Sequence, residues 1–204
     1  EQLNKLIQGD WLILARNKYN LDLLEEELKL EGYYYQRNGS TSVDAKAIRA
    51  IKAWEKIRKG GELPLKEVKD FYYYLMVDKS VNRGHKTMQK ADREKLYNYE
   101  TLTKEHGLNV NNHFPWFEAF DSMPRLKSTY IRAVLRRGQK ITHDPRIKLS
   151  TIHGAKGGEA DNVMLLTDLS KKTDESYWLN KDEERRVFYV GMTRAKQSLN
   201  IIRS

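Results

Sequence analysis

The chain contains no cysteine and only four prolines among its 204 residues. Without thiols it can form neither disulfide bonds nor thiolate metal sites, and nothing in its composition points to an oxidising compartment. The five histidines are scattered without the spacing of metal ligands, so we predict no metal site. No apolar run approaches the roughly 18 residues of a membrane span, and the N-terminus lacks a signal-peptide pattern. We therefore expect a cytoplasmic protein with no membrane partner.

The excess of positive charge is concentrated in one segment of the chain. Residues 41–146 contain 22 Lys and Arg against 13 Asp and Glu, whereas the remaining residues contain 15 of each. Clustered cations neutralise phosphates and release counterions, which favours a nucleic-acid partner bound largely without regard to sequence. Solvated faces of amphipathic helices explain any single cation equally well. The candidates are Lys52, Lys56, Arg58, Lys59, Arg125, Lys127, Arg132, Arg136, Arg137 and Lys140.

The same segment has the apolar periodicity of helices. Five helices are predicted, over residues 43–57, 64–75, 88–99, 115–120 and 126–137. Four aromatic residues of the segment could stack on bases, but a place in the core is the favoured interpretation. They are Tyr72, Tyr73, Tyr74 and Trp116. Outside the segment, alternating strands and helices predict an α/β fold, beginning with the strand Trp11–Ala15 and the helix after it.

A glycine-rich loop follows a predicted strand in the stretch Ile147–Glu159, IKLSTIHGAKGGE. The glycines allow a tight turn that exposes backbone N–H groups, and such a loop can hold an anion. Lys156 adds a positive charge, and Glu159 offers a carboxylate that could accept a bond from a ribose hydroxyl. A plain turn without a ligand is the alternative interpretation.

A predicted helix in the stretch Asp182–Lys196, DEERRVFYVGMTRAK, delivers Arg194 at its end. An arginine at such a position can stabilise charge that develops on a transferring γ-phosphoryl group. The alternative is a solvated cationic turn favoured by the helix dipole. Residues 198–202 predict a further strand after this helix.

Taken together, TIHGAKGGE and EERRVFYVGMTRAKQSLNI resemble motifs V and VI of superfamily 1 helicases of the UvrD/Rep/PcrA type. The segment at residues 11–42, WLILARNKYNLDLLEEELKLEGYYYQRNGSTS, resembles the start of the second RecA-like domain of that family. The resemblance implies an α/β fold with a RecA-like parallel sheet, the P-loop NTPase-type second motor domain, over residues 1–40 and 147–204. Residues 41–146 would be a mostly helical insertion resembling a shortened 2B subdomain.

The resemblance also implies roles for single residues. Arg194 would be the catalytic arginine finger, and the nucleotide would be bound by Glu159, Gly157 and Lys156. Four residues are the nucleic-acid-binding candidates that the resemblance implies, namely Thr151, His153, Arg16 and Asn17. A plain turn residue is the alternative for Arg16, and a core histidine is the alternative for His153. Tyr189 is expected to pack beneath the site.

Two motifs that ATP hydrolysis requires are missing. The chain has no G-x-x-x-x-G-K-[ST] segment and no paired acidic Walker B strand, so we expect this chain alone to be inactive. The resemblance implies an ATP-dependent DNA helicase of 3′ to 5′ polarity, in which ATP and Mg²⁺ bind between this domain and a first RecA-like domain. That first domain and single-stranded DNA are the expected partners, with duplex DNA as a further candidate. The motor part of a helicase-nuclease and a non-catalytic nucleic-acid-binding module are the alternatives.

Overall fold

The computed structural model describes residues 3, 6, 8–89, 91–155, 157–169 and 181–203. The chain divides into two compact units, one of Glu1–Ser42 with Ala133–Ser204 and the other of Val43–Arg132. Residues 133–146 thus belong to the first unit, although the predicted insertion included them. The identification of the second unit with a 2B subdomain stays a prediction.

The first unit contains a six-stranded sheet. Its strands are β1 (Trp11–Ala15), β2 (Tyr35–Arg37), β3 (Ser40–Thr41), β6 (Ile147–Thr151), β7 (Ala160–Leu166) and β8 (Ala195–Ile202). They are arranged in the order β3-β2-β6-β1-β7-β8, and every neighbouring pair is parallel except β2 and β3. Helices α1 (Lys18–Leu30) and α7 (Lys181–Met192) pack against this sheet. This mainly parallel sheet confirms the predicted α/β fold of the RecA-like type.

Strand β1 lies in the middle of the sheet and is buried along its whole length. Ile13 and Ala15 pack in one apolar cluster with Leu21, Leu24 and Leu28 of α1. On the other face, Leu12 and Leu14 pack in a second cluster, against which Val187, Phe188 and Met192 of α7 lie. Because successive side chains of a strand point to opposite faces, helices on both faces require the continuous apolar run WLILA.

The second unit is built mainly from helices. They are α2 (Ala45–Ile57), α3 (Leu65–Tyr72), α4 (Tyr99–Glu105), α5 (Trp116–Ala119) and the start of α6 (Arg125–Arg136), with a two-stranded sheet of β4 (Leu63–Pro64) and β5 (Leu96–Tyr97). Trp54 is fully buried, with its ring near those of Phe71 and Phe120, and its indole N–H donates to the carbonyl of Phe114 at 3.0 Å. This aromatic cluster is the core of the unit.

The expected helix over residues 88–99 is wrong. The described residues of this stretch form turns and strand β5, and α4 begins only at Tyr99. Met88 has a left-handed backbone with φ 52°, which interrupts a helix, and the Asn98 side chain caps α4 by accepting from the N–H of Thr101. Local turn chemistry therefore overrides the apolar spacing.

Three of the four candidate stacking aromatics belong to the core. Tyr72, Tyr74 and Trp116 are each less than 5% exposed, whereas Tyr73 is 54% exposed. The favoured interpretation is confirmed for these three. In the part of the chain that the structure describes, every helix is too short or too polar to span a bilayer.

Candidate functional site

The predicted nucleic-acid residues lie at the carboxyl edge of the sheet. Ala15 and Thr151 are register partners at the ends of β1 and β6, and the N–H of Ile152 donates to the carbonyl of Ala15 at 3.0 Å. Arg16 and Thr151 are therefore neighbours at this edge. His153 is exposed two residues further on. Asn17 is half-buried at the N-cap of α1.

A hydrogen bond within the loop holds this edge in shape. The hydroxyl of Thr151 accepts from the N–H of Gly154 at 3.0 Å. A Cβ on Gly154 would approach the Ser150 hydroxyl to 2.9 Å and the Thr151 hydroxyl to 3.1 Å, which is too close for a larger residue. Glycine is thus required here by the close approach of its neighbours, and the loop leaves His153 on its outer side.

Arg16 makes a two-pronged ion pair with Glu184 in the first turn of α7. Its Nε and Nη2 donate to the two carboxylate oxygens, each at 2.7 Å. The side chain of Glu184 is 8% exposed and that of Arg16 is 24% exposed. The hydrogen bonds from Arg16 lower the pKa of the Glu184 carboxyl against the opposing effect of burial, and the charges of Arg16 and His153 lower it further. The carboxylate is therefore ionised at neutral pH.

The predicted nucleotide residues lie at the opposite, amino edge of the sheet. The N–H of Ala160, at the start of β7, donates to the carbonyl of Arg194 at 3.2 Å. Glu159 and Arg194 are therefore adjacent across the starts of β7 and β8. The carboxylate of Glu159 is 53% exposed and lies 3.7 Å from the ammonium group of Lys196.

The loop before Glu159 is open to solvent at Gly157. This glycine has a left-handed backbone with φ 77°, and no atom lies within 4 Å of the position that a Cβ would take. A ligand could thus approach the backbone here closely. Lys156, predicted to bind the nucleotide, lies outside the described residues.

A cavity of 330 Å³ adjoins this edge of the sheet. Glu159 and Lys196 line it, together with Asp10, Asp144 and Arg146. Both signs of charge are present, so the cavity could accept hydroxyl groups and anionic groups of one ligand.

Helix α7 connects the two edges. Glu184 near its start lies at the carboxyl edge, and the chain leaves its end at the amino edge, where Arg194 precedes β8. The residues of α7 that face the sheet recur with the period of a helix. They are Glu184, Val187, Phe188, Gly191 and Met192. Tyr189 falls on the other side of the helix and is 67% exposed, so the expectation that it packs beneath the site is wrong.

Sequence reasoning missed Glu184 as a site residue. The detectable signal was its place on the apolar face of α7, one turn before Val187 and Phe188, where an ionised carboxylate needs a buried partner. The sequence could not identify that partner, because Arg16 is 168 residues away.

Comparison with known proteins identifies the family of this chain. Residues 21–204 match the model of the UvrD-like helicase C-terminal domain family. The chain is 26% identical over 166 residues to DNA helicase II of Escherichia coli (strain K12), a match that covers 77% of the chain and 23% of that protein. It is 28% identical over 139 residues to the ATP-dependent DNA helicase Rep of Buchnera aphidicola subsp. Schizaphis graminum, covering 66% of the chain and 20% of that protein.

A third relative gives the same result. DNA helicase II of Salmonella typhimurium is 25% identical over 166 residues, covering 77% of the chain and 23% of that protein. The matches thus span less than a quarter of the length of these relatives, and the family model covers most of this chain. This chain belongs to the UvrD-like helicase C-terminal domain family.

Proposed function

We propose that the chain is the second motor domain of an ATP-dependent DNA helicase, and that it supplies an arginine finger to an ATP site shared with a first RecA-like domain. The observation that carries the proposal is the backbone bond between Ala160 and Arg194, because it brings the guanidinium-bearing residue and Glu159 to one edge of the sheet. The names of the relatives, DNA helicases and an ATP-dependent DNA helicase, support it.

The residues at the amino edge fit a nucleotide. Glu159 presents an exposed carboxylate that suits a ribose hydroxyl, Gly157 leaves space for close approach to the backbone, and Arg194 is a cation that suits a phosphate. ATP, when bound, supplies the phosphoryl group whose negative charge Arg194 stabilises during hydrolysis. Lys156 is proposed to help hold this nucleotide.

Magnesium ligands are proposed to come from the first RecA-like domain. Within the residues that the structure describes, no group of three or more His, Asp or Glu side chains could hold a metal ion.

The carboxyl edge is proposed to contact single-stranded DNA. Thr151, His153, Arg16 and Asn17 supply hydroxyl, imidazole, guanidinium and amide groups there, and all four kinds of group bind phosphate oxygens or bases. Translocation from 3′ to 5′ is part of the proposal, on the resemblance to the family alone. The DNA and the nucleotide would then lie at opposite edges of one sheet.

An arginine substitution tests this function in the intact protein. We expect Arg194→Ala to reduce DNA-stimulated ATP hydrolysis about 10³-fold or more, because the charge that the arginine stabilises is then left uncompensated. Affinity for single-stranded DNA should stay nearly unchanged, since Arg194 lies at the amino edge. Steady-state ATPase assays and fluorescence anisotropy measure the two effects.

Lys29→Ala is the matched control, because Lys29 is exposed near the end of α1, away from the carboxyl ends of the strands, and its removal changes the net charge equally. This control should keep wild-type ATPase activity. An equal loss of DNA binding in Arg194→Ala would count against the finger role. A wild-type protein that binds DNA but has no ATPase activity would identify the chain as a non-catalytic binding module.

A further inference from the structure

The ion pair between Arg16 and Glu184 joins the predicted DNA edge to the helix that ends at the predicted nucleotide edge. We propose that Glu184 is a positioning residue, which holds Arg16 and the start of α7 together so that contact of DNA with Arg16 is transmitted to Arg194. This inference rests on the proposed function and assigns to Glu184 the coupling between its two ligands.

The geometry of the pair is that of a specific contact. Two parallel N–H···O bonds of 2.7 Å join the planar guanidinium to the carboxylate. Glu184 is 6% exposed, while Asp182, Glu183 and Arg185 around it are exposed. Acidic residues are generally favoured at helix starts, but they can remain in solvent there. The burial of Glu184 therefore reflects its specific contact with Arg16.

Arg16 remains accessible to a second anion. Its side chain is 24% exposed, and the pair with Glu184 uses Nε and Nη2 of a group that carries five N–H donors. A DNA phosphate at the carboxyl edge would therefore share this guanidinium with Glu184 or compete for it. His153 is an exposed neighbour on the loop after β6, so a DNA strand at this edge can contact both residues.

Helix α7 is packed in a way that can transmit such a change. Val187, Phe188 and Met192 lie against the apolar cluster on one sheet face. Gly191 brings the helix so close that an added Cβ would approach Leu165 to 3.2 Å and Ile152 to 3.5 Å. Because the helix is closely packed, a shift of its first turn moves its last turn with it, and Arg194 follows directly after that turn.

The test is Glu184→Gln in the intact protein, which keeps the shape of the side chain and removes its charge. We expect the ratio of DNA-stimulated to DNA-independent ATPase activity to fall about tenfold, because the ion pair that links Arg16 to α7 is lost. Arg16, no longer neutralised by a carboxylate, should compensate the charge of one more DNA phosphate. The slope of log affinity for single-stranded DNA against log salt should therefore steepen by about 0.7.

Asp182→Asn is the matched control, since Asp182 lies in the same helical turn, is exposed, and undergoes the same charge change. It should keep the wild-type stimulation ratio and salt slope. A wild-type ratio and slope in Glu184→Gln would overturn the inference. So would a parallel loss of thermal stability, ATPase activity and DNA affinity without a steeper slope, because that is the behaviour of a merely structural residue.

Glu184→Asp covers the case in which Glu184→Gln fails to fold. The shorter side chain keeps the charge but cannot reach both donors, so the stimulation ratio should fall about threefold with a slope close to wild type. A wild-type ratio in a folded Glu184→Asp protein would overturn the inference. The proposed function fails separately, when the wild-type protein shows no DNA-stimulated ATPase or when Arg194→Ala is fully active.

Discussion

Gly32 illustrates how a single residue fixes the path of the chain after α1. Its backbone is left-handed, with φ 71°, and the bonds from Tyr33 to Leu28 and from Gly32 to Lys29 form the Schellman arrangement that ends a helix. A Cβ at Gly32 would lie 2.7 Å from the Cβ of Ala133 and 2.9 Å from its carbonyl carbon. Only glycine satisfies both the conformation and the close approach.

We therefore expect Gly32→Ala to destabilise the protein by about 3 kcal/mol or more, of which about 1–2 kcal/mol is the cost of the left-handed backbone and the remainder is the clash. Gly39→Ala is the matched control, because Gly39 has φ 78° in the same unit and nothing within 4 Å of its Cβ position. Gly39→Ala should lose only the stability that corresponds to the left-handed backbone. Urea unfolding of both variants measures the difference, and equal losses would contradict the role of the close approach.

At the scale of single residues, the sequence identified candidates whose chemistry lies in a contiguous motif, and their roles stay predictions. Glu159 and Arg194 belong to two such motifs, and the structure places them side by side through Ala160. Glu184 was missed because its significance depends on Arg16, which the fold brings to it from a distant segment. A local motif shows which chemical groups are present in one segment. An ion pair between distant segments is visible only in the folded structure.

The elements that the sequence predicted best are those with one strong period. Helix α2 was expected over 43–57 and is observed at Ala45–Ile57, and β1 was expected at its observed bounds. Strand β7 was not predicted, although Val163, Met164 and Leu165 are almost fully buried. The apolar run of β7 is short and continuous, so it shows neither the alternation of a half-buried strand nor the period of a helix. Its sequence therefore does not distinguish a strand from a loop.

The start of α2 permits a prediction at the scale of the element. The Asp44 side chain accepts from the N–H of Ala47 at 2.9 Å and forms an ion pair with Lys127 of α6. Asp44→Ala should cost about 1 kcal/mol for the lost cap, together with a smaller loss from the half-exposed ion pair. Asp44→Asn keeps an acceptor for the cap and should lose only the ion-pair part. Differential unfolding of the two variants separates these contributions, and identical losses would show that the cap contributes nothing.

For the whole molecule, charge is the property with the clearest functional consequence. The net charge of +9 arises entirely from residues 41–146, and Lys52, Lys56 and Lys59 are exposed along α2 and just past its end. Lys52 and Lys56 lie four residues apart on one side of α2, and Lys59 follows in the turn after the helix. These three exposed lysines form a basic stripe that a DNA backbone can follow. Other cations of the segment are already engaged, since Arg58 pairs with Glu55 and Arg132 lies over the ring of Phe117.

We expect a protein of residues 1 to 204 to bind single-stranded and duplex DNA weakly and with a steep dependence on salt. Changing the three lysines of the stripe to glutamine should reduce the slope of log affinity against log salt by about 2.7 for duplex DNA, since each phosphate contact contributes about 0.9. The control changes Lys29, Lys148 and Lys196 to glutamine, three exposed lysines away from the carboxyl ends of the strands, with the same loss of charge on the part of the chain where acids balance bases. Fluorescence anisotropy across a salt series distinguishes the two. If both triple variants lose the same slope, net charge alone attracts DNA and the stripe is not a binding surface; if wild-type binding does not depend on salt, the second unit does not contact phosphates.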